Sequence, residues 1–134
     1  MTTHARGLFE VTMTPQPAQD GVGDPAVGRM ALEKRFLGDL QATGKGQMLA
    51  LRTATEGSAG YVALERVEGS LHGRHGAFAL QHSGTMTRGE PQLHISVVPD
   101  SGSGELLGLA GTLDISITDG KHAYDFEYSL PEAD

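Results

Sequence analysis

Between Gly60 and Leu130 the chain alternates apolar and polar side chains in short runs, with glycine breaking the runs at close intervals. Leu109, Gly111, Leu113, Ile115 and Ile117 alternate with Ala110, Thr112, Asp114, Ser116 and Thr118. A period of two places each set on one face of a β-strand. Such runs recur at roughly 8–12-residue spacing, the pattern of an all-β sandwich or barrel. The pattern restricts the fold far more than it restricts the chemistry.

Eight strands are predicted: Gly7–Thr14, Arg29–Leu37, Gln41–Thr53, Tyr61–Glu68, Leu71–Met86, Gln92–Val98, Leu109–Thr118 and Lys121–Leu130. Pro15 and Pro17 end the first, because proline cannot donate into a central ladder. The stretch from Pro15 to Gly28 reads as a long loop able to lie over a barrel mouth. Gly44 and Gly46 suggest a bulge in the third strand. Gly69-Ser70 reads as the turn into the fifth, with kinks expected near Gly73 and Gly76. Asp119-Gly120 is a strong two-residue hairpin signal. A single helical turn is expected around Glu105–Leu107. With no internal repeat or linker, residues 1–134 form one domain. An antiparallel meander of this length closes most economically into an eight-stranded β-barrel, which removes exposed edges. A two-sheet sandwich is the alternative.

The chain has 134 residues, enough to bury its own core. A net charge of −7 makes nucleic acid and anionic membrane surfaces poor partners. Without cysteine there is no disulfide framework and no thiolate nucleophile. No leader pattern and no apolar run of membrane-spanning length is seen, so a cytoplasmic protein is expected.

Six histidines raise the question of a metal. On the predicted fifth strand, His72 and His75 point to opposite faces, and His82 lies about 33 Å from His72. No metal site is expected, and no cofactor. The segment Ser101-Gly-Ser-Gly104 lacks the lysine ending of a phosphate loop and is read as a tight corner. Glu65 is more informative, because it is in phase with Tyr61, Ala63 and Val67. On a lumen face it would be a carboxylate inside an apolar barrel. His82, in phase with Phe78 and Leu80, is expected to share that lumen. A Glu65–His82 pair there suits proton transfer, with Tyr61 orienting a substrate. The structural alternatives are a buried hydrogen bond, or Glu65 paired with Arg66 or Arg74 outside the barrel. Tyr61, Phe78 and Tyr124 are the expected ligand contacts. Tyr124, on the apolar face of the last strand, equally suits core packing.

Three blocks together resemble a known bacterial family. They are Tyr61-Val-Ala-Leu-Glu65-Arg-Val-Glu-Gly69, Leu71-His-Gly-Arg-His-Gly-Ala-Phe78-Ala-Leu-Gln-His82, and Val97-Val-Pro-Asp-Ser-Gly-Ser-Gly-Glu105-Leu-Leu-Gly-Leu109-Ala-Gly111. The opening Gly7-Leu-Phe-Glu-Val11 and the closing His122-Ala-Tyr-Asp-Phe-Glu-Tyr128 fit as well. The family is domain of unknown function 3224, whose structures look like the allene oxide cyclase barrel. Asp100 stands where that family more usually has glycine. The resemblance implies an eight-stranded antiparallel barrel and a homodimer, but no activity. No active-site residue of the cyclases maps onto this chain.

Three functions follow as expectations. The first is binding of a small apolar or amphipathic molecule in the barrel mouth under the 15–28 loop. The second is a cofactor-free isomerase or cyclase using Glu65 and His82. The third is a structural homodimer with a filled core.

Overall fold

The computed structural model describes residues 2–131, which contain nine β-strands and no helix. The strands are β1 (Thr3–Pro15), β2 (Gly28–Phe36), β3 (Leu40–Arg52), β4 (Ala59–Leu71), β5 (Arg74–Thr87), β6 (Glu90–Val97), β7 (Ser103–Gly104), β8 (Ala110–Thr118) and β9 (Lys121–Ser129). All pairings are antiparallel, and the sheet closes through β4–β5. The closed ring runs β1-β2-β3-β4-β5-β6-β8-β9, with β7 a short addition on β5. The eight-stranded barrel is therefore observed, and the open sandwich is not. Among the described residues no helix is long and apolar enough to cross a membrane.

The ring is uneven. β3 and β4 pair without a break from Leu40↔Leu71 to Arg52↔Ala59, so Gly44 and Gly46 mark no bulge. By contrast, β6 and β8 are joined by the single pair Ser96↔Thr112. β6 pairs with β5 only from Leu80 onward, while β7 takes up Gly76 and Ala77 lower on the same strand. Ser101 fills the interval, its hydroxyl accepting the Ala79 amide at 3.0 Å.

Three hairpins turn on two residues whose second is glycine: His72-Gly73, Arg88-Gly89 and Asp119-Gly120. Both residues of each have positive φ, the type I′ pattern whose twist matches that of the flanking strands. The turn expected at Gly69-Ser70 thus falls at His72-Gly73, and Leu71 ends β4 rather than starting β5. Gly69 serves close approach instead: a Cβ there would lie 2.2 Å from the Gln41 carbonyl oxygen. His72 occupies the turn itself, so His72 and His82 do not share one strand. The segment 105–108 is a hydrogen-bonded turn rather than a helix.

Alternation delivers the core. Ala5, Phe9, Phe36, Leu40, Val67, Leu71, Phe78, Leu80, Phe126 and Tyr128 all point inward and are buried. Phe78 stacks on Phe126 with ring centres 5.7 Å apart. Leu106 and Leu109, from the connection after β7, are buried against this cluster. This end of the barrel is sealed.

Candidate functional site

Toward the other end, lumen-facing side chains become exposed. Met13 (53%), Met86 (40%), Leu93 (43%) and Ile117 (65%) are on the inward face yet reach water. Their orientation follows from register, since Met13 is opposite buried Leu32 and Leu93 is opposite buried Gly84. Met30 and Met48 face each other directly across β2 and β3, and both are partly buried. The four methionines after Met1 thus all belong to this mouth. Methionine is flexible and polarisable, and suits apolar surfaces that must adapt. The β1–β2 loop leaves from this end, and residues 17–28 are all exposed, so the loop does not seal the mouth.

Below the methionines are three polar side chains: Lys34, Glu65 and His82, with side-chain exposures of 8%, 0% and 4%. Lys34 Nζ is 3.1 Å from Glu65 Oε2 and 3.4 Å from Oε1. His82 Nε2 stands 3.5 Å from Glu65 Oε1, too far for a well-formed hydrogen bond, and has no other partner. Both residues expected inside the lumen are therefore there, and adjacent. The pairings outside the barrel do not occur: Arg66 bonds Glu68 at 2.7 Å, and Arg74 is exposed.

Lys34 reaches Glu65 across β3, and the sequence of β3 makes this possible. Lys34 is opposite Gly44, and Glu65 is opposite Gly46. A Cβ on Gly46 would come within 2.8 Å of the Glu65 Cβ and 2.0 Å of the Leu64 carbonyl oxygen. Two glycines in a row on the inward face leave a trough in which the ion pair lies. The Phe9 ring supports the ammonium from one side, its centre 5.4 Å from Nζ. Lys34 was not singled out from the sequence, although it is in phase with Leu32 and Phe36 and so carries the same signal as Glu65.

Burial alone would push the Glu65 carboxyl up. His82 and the Lys34 ammonium more than offset this, and Glu65 is held below its ordinary value. Tyr61, half-buried on the same face of β4, has its phenol pushed up by burial and by the Glu65 charge. Near neutral pH the first is an acceptor and the second a donor. The Tyr61 ring lies across Gly84, where a Cβ would come within 2.3 Å of it.

Phe78 and Tyr124 are elsewhere, in the packed part of the core. The Tyr124 hydroxyl donates to the Leu37 carbonyl at 2.7 Å and accepts from the Leu40 amide at 2.9 Å. It ties the β2–β3 corner to β9, its proton spent on that corner and its oxygen buried. Among the described residues, no three His, Cys, Asp or Glu side chains converge as metal ligands.

A groove of about 740 Å³ is on the outside of β3–β5 and is lined by Leu49, Val62 and Leu64 with Gln81 and Ser83. Leu49, Val62 and Leu64 face away from the lumen, whereas Gly46, Ala63 and His82 of its lining are at inward positions.

The model of the family "Protein of unknown function (DUF3224)" matches residues 5–128. The chain belongs to the DUF3224 family. A crystal structure of a DUF3224 protein of unknown function from Shewanella oneidensis MR-1 is 50% identical, with a TM-score of 0.91. The likeness covers 99% of this chain and 100% of that one. No curated protein matches the chain. This DUF3224 barrel thus matches its family over nearly its whole length.

Proposed function

We propose that this DUF3224 protein binds a small apolar or amphipathic molecule in its barrel mouth. One observation carries the reading: lumen-facing apolar side chains are water-exposed at one end of the barrel and sealed at the other. Ligand sites combine such an apolar lining with a few placed polar groups, and here Lys34 and His82 lie beneath the methionines while Tyr61 stands among them. The exposed loop 17–28 stands at the entrance and can fold over an occupant.

The test uses the methionine methyl groups as reporters. Protein labelled with carbon-13 at the methionine, leucine and valine methyls is titrated with the neutral apolar dye N-phenyl-1-naphthylamine. Saturable shifts at Met13, Met30, Met48 and Met86 are expected. Shifts confined to leucine and valine methyls of the outer groove would overturn the reading.

A second reading, cofactor-free isomerisation, is favoured by the Glu65–His82 contact inside the lumen. It ranks lower because Glu65 is ionised, engaged by Lys34 and shielded from solvent. Its check is deuterium exchange from heavy water into the carbon next to a bound carbonyl. Exchange that survives His82→Gln would remove His82 as the base. Self-association through Leu49, Val62 and Leu64 is the third reading, and light scattering tests it.

A further inference from the structure

We infer that the mouth selects an uncharged ligand whose head is an oxygen acceptor, such as an ester or ketone carbonyl on an apolar body. This rests on the mouth-binding reading and goes further by naming the head group. Lys34 and Glu65 lie side by side beneath the mouth at 3.1 Å and cancel one another's charge. A ligand carboxylate entering this low-dielectric site would be an unbalanced third charge, and an ammonium would be one of the opposite sign. Burying an unpaired ion is far costlier than burying a carbonyl that finds a donor.

The donors are in place. Lys34 carries three N–H groups and meets one carboxylate, Glu65, at the inner side of the trough. Lys34 keeps an 8% exposed side chain, whereas Glu65 behind it has none. Tyr61, above Glu65 on the same face of β4, keeps its phenolic proton and offers a second donor. The buried Nε2 of His82 has no hydrogen-bond partner, and neither a free acceptor nor a free donor is comfortable there. Around the head, Met13, Met30, Met48 and Met86 supply apolar surface that adjusts to the body of the ligand. The Lys34–Glu65 pair therefore brings no net charge to the mouth, His122 also faces the lumen against Phe9, and Lys34 at the floor and Tyr61 nearer the rim offer donors beside the apolar methionines.

The experiment compares four ligands of one chain length, octane, methyl octanoate, octanoate and octylamine, read by the methionine methyl shifts. Methyl octanoate should bind about three- to tenfold more tightly than octane, the value of one net hydrogen bond. Octanoate and octylamine should both bind more weakly than the ester. Tyr61→Phe should bring the ester toward octane and leave octane unchanged. Glu65→Gln removes the balancing charge, so octanoate should gain relative to the ester. Octanoate or octylamine binding more tightly than the ester to the unmodified protein would overturn the inference while leaving mouth binding intact. An ester-to-octane ratio unmoved by Tyr61→Phe would overturn it as well. If none of the four shifts a mouth methionine, the mouth-binding reading fails and this inference falls with it.

Discussion

The two ends of this barrel are built from the same strands and the same alternation, yet one is a packed core and the other leaves its inward side chains in contact with water. At the sealed end, Phe78, Phe126, Leu71, Leu106 and Leu109 interlock, and Tyr124 pins the β2–β3 corner. At the open end the inward positions carry methionine, leucine and isoleucine that still touch water. The difference lies in what crosses each end. The connection from Val98 to Leu109 sends two leucines inward, whereas the 16–27 loop sends nothing. Stability should therefore concentrate below the Lys34–Glu65 pair, and tolerance to change above it.

The largest effects should come at the boundary and in the sealed half. Lys34→Met strands Glu65 as a buried carboxylate without its cation, and should cost about 3–5 kcal/mol in urea unfolding. Adding Glu65→Gln should recover most of that loss, because a buried pair removed whole costs far less than one broken. Equal losses in the single and double variants would show that Lys34 acts by packing on Phe9 alone. Phe78→Ala should likewise cost about 3–5 kcal/mol, since it opens a cavity against Phe126.

Acid should expose the boundary in the unmodified protein. The Glu65 carboxyl is held below its unfolded value, so the folded state favours the ionised form. Its contribution is full above the unfolded carboxylate range of about 4.3 and is lost as pH falls through the lower folded value. Glu65→Gln should lack this part of the acid destabilisation, and melting temperature measured against pH checks it. Smaller still, Tyr124→Phe leaves the Leu40 amide and Leu37 carbonyl without their shared partner, costing about 1–3 kcal/mol. Smallest of all, Met86→Ala at the exposed rim should change stability by about 0.5 kcal/mol or less. A loss as large as that of Phe78→Ala would erase the contrast between the two ends.

Much of this was legible before any coordinates. Strict alternation placed Glu65 and His82 on the lumen face, because side-chain direction in a strand depends on parity alone. Asp119-Gly120 announced its hairpin because aspartate and glycine both accept positive φ. His72-Gly73 turns the chain the same way but begins with a residue less typical of such turns, so the sequence signal for the turn falls on Gly69-Ser70 instead. Gly69 is there for its lack of a side chain against Gln41, a residue far away along the chain on the neighbouring strand.

Parity along one strand, then, is a local property, and the linear chain sets it: which residues share a face. Which inward residues meet is decided by register between strands. Lys34 finds Glu65 only because Gly44 and Gly46 fall between them on β3, a juxtaposition created by pairing and invisible in any single segment. Phe78 and Tyr124, inward like Tyr61, lie at a depth where neighbours fill all the space. Depth along the barrel axis separates packing residues from mouth residues, and depth exists only once the ring has closed.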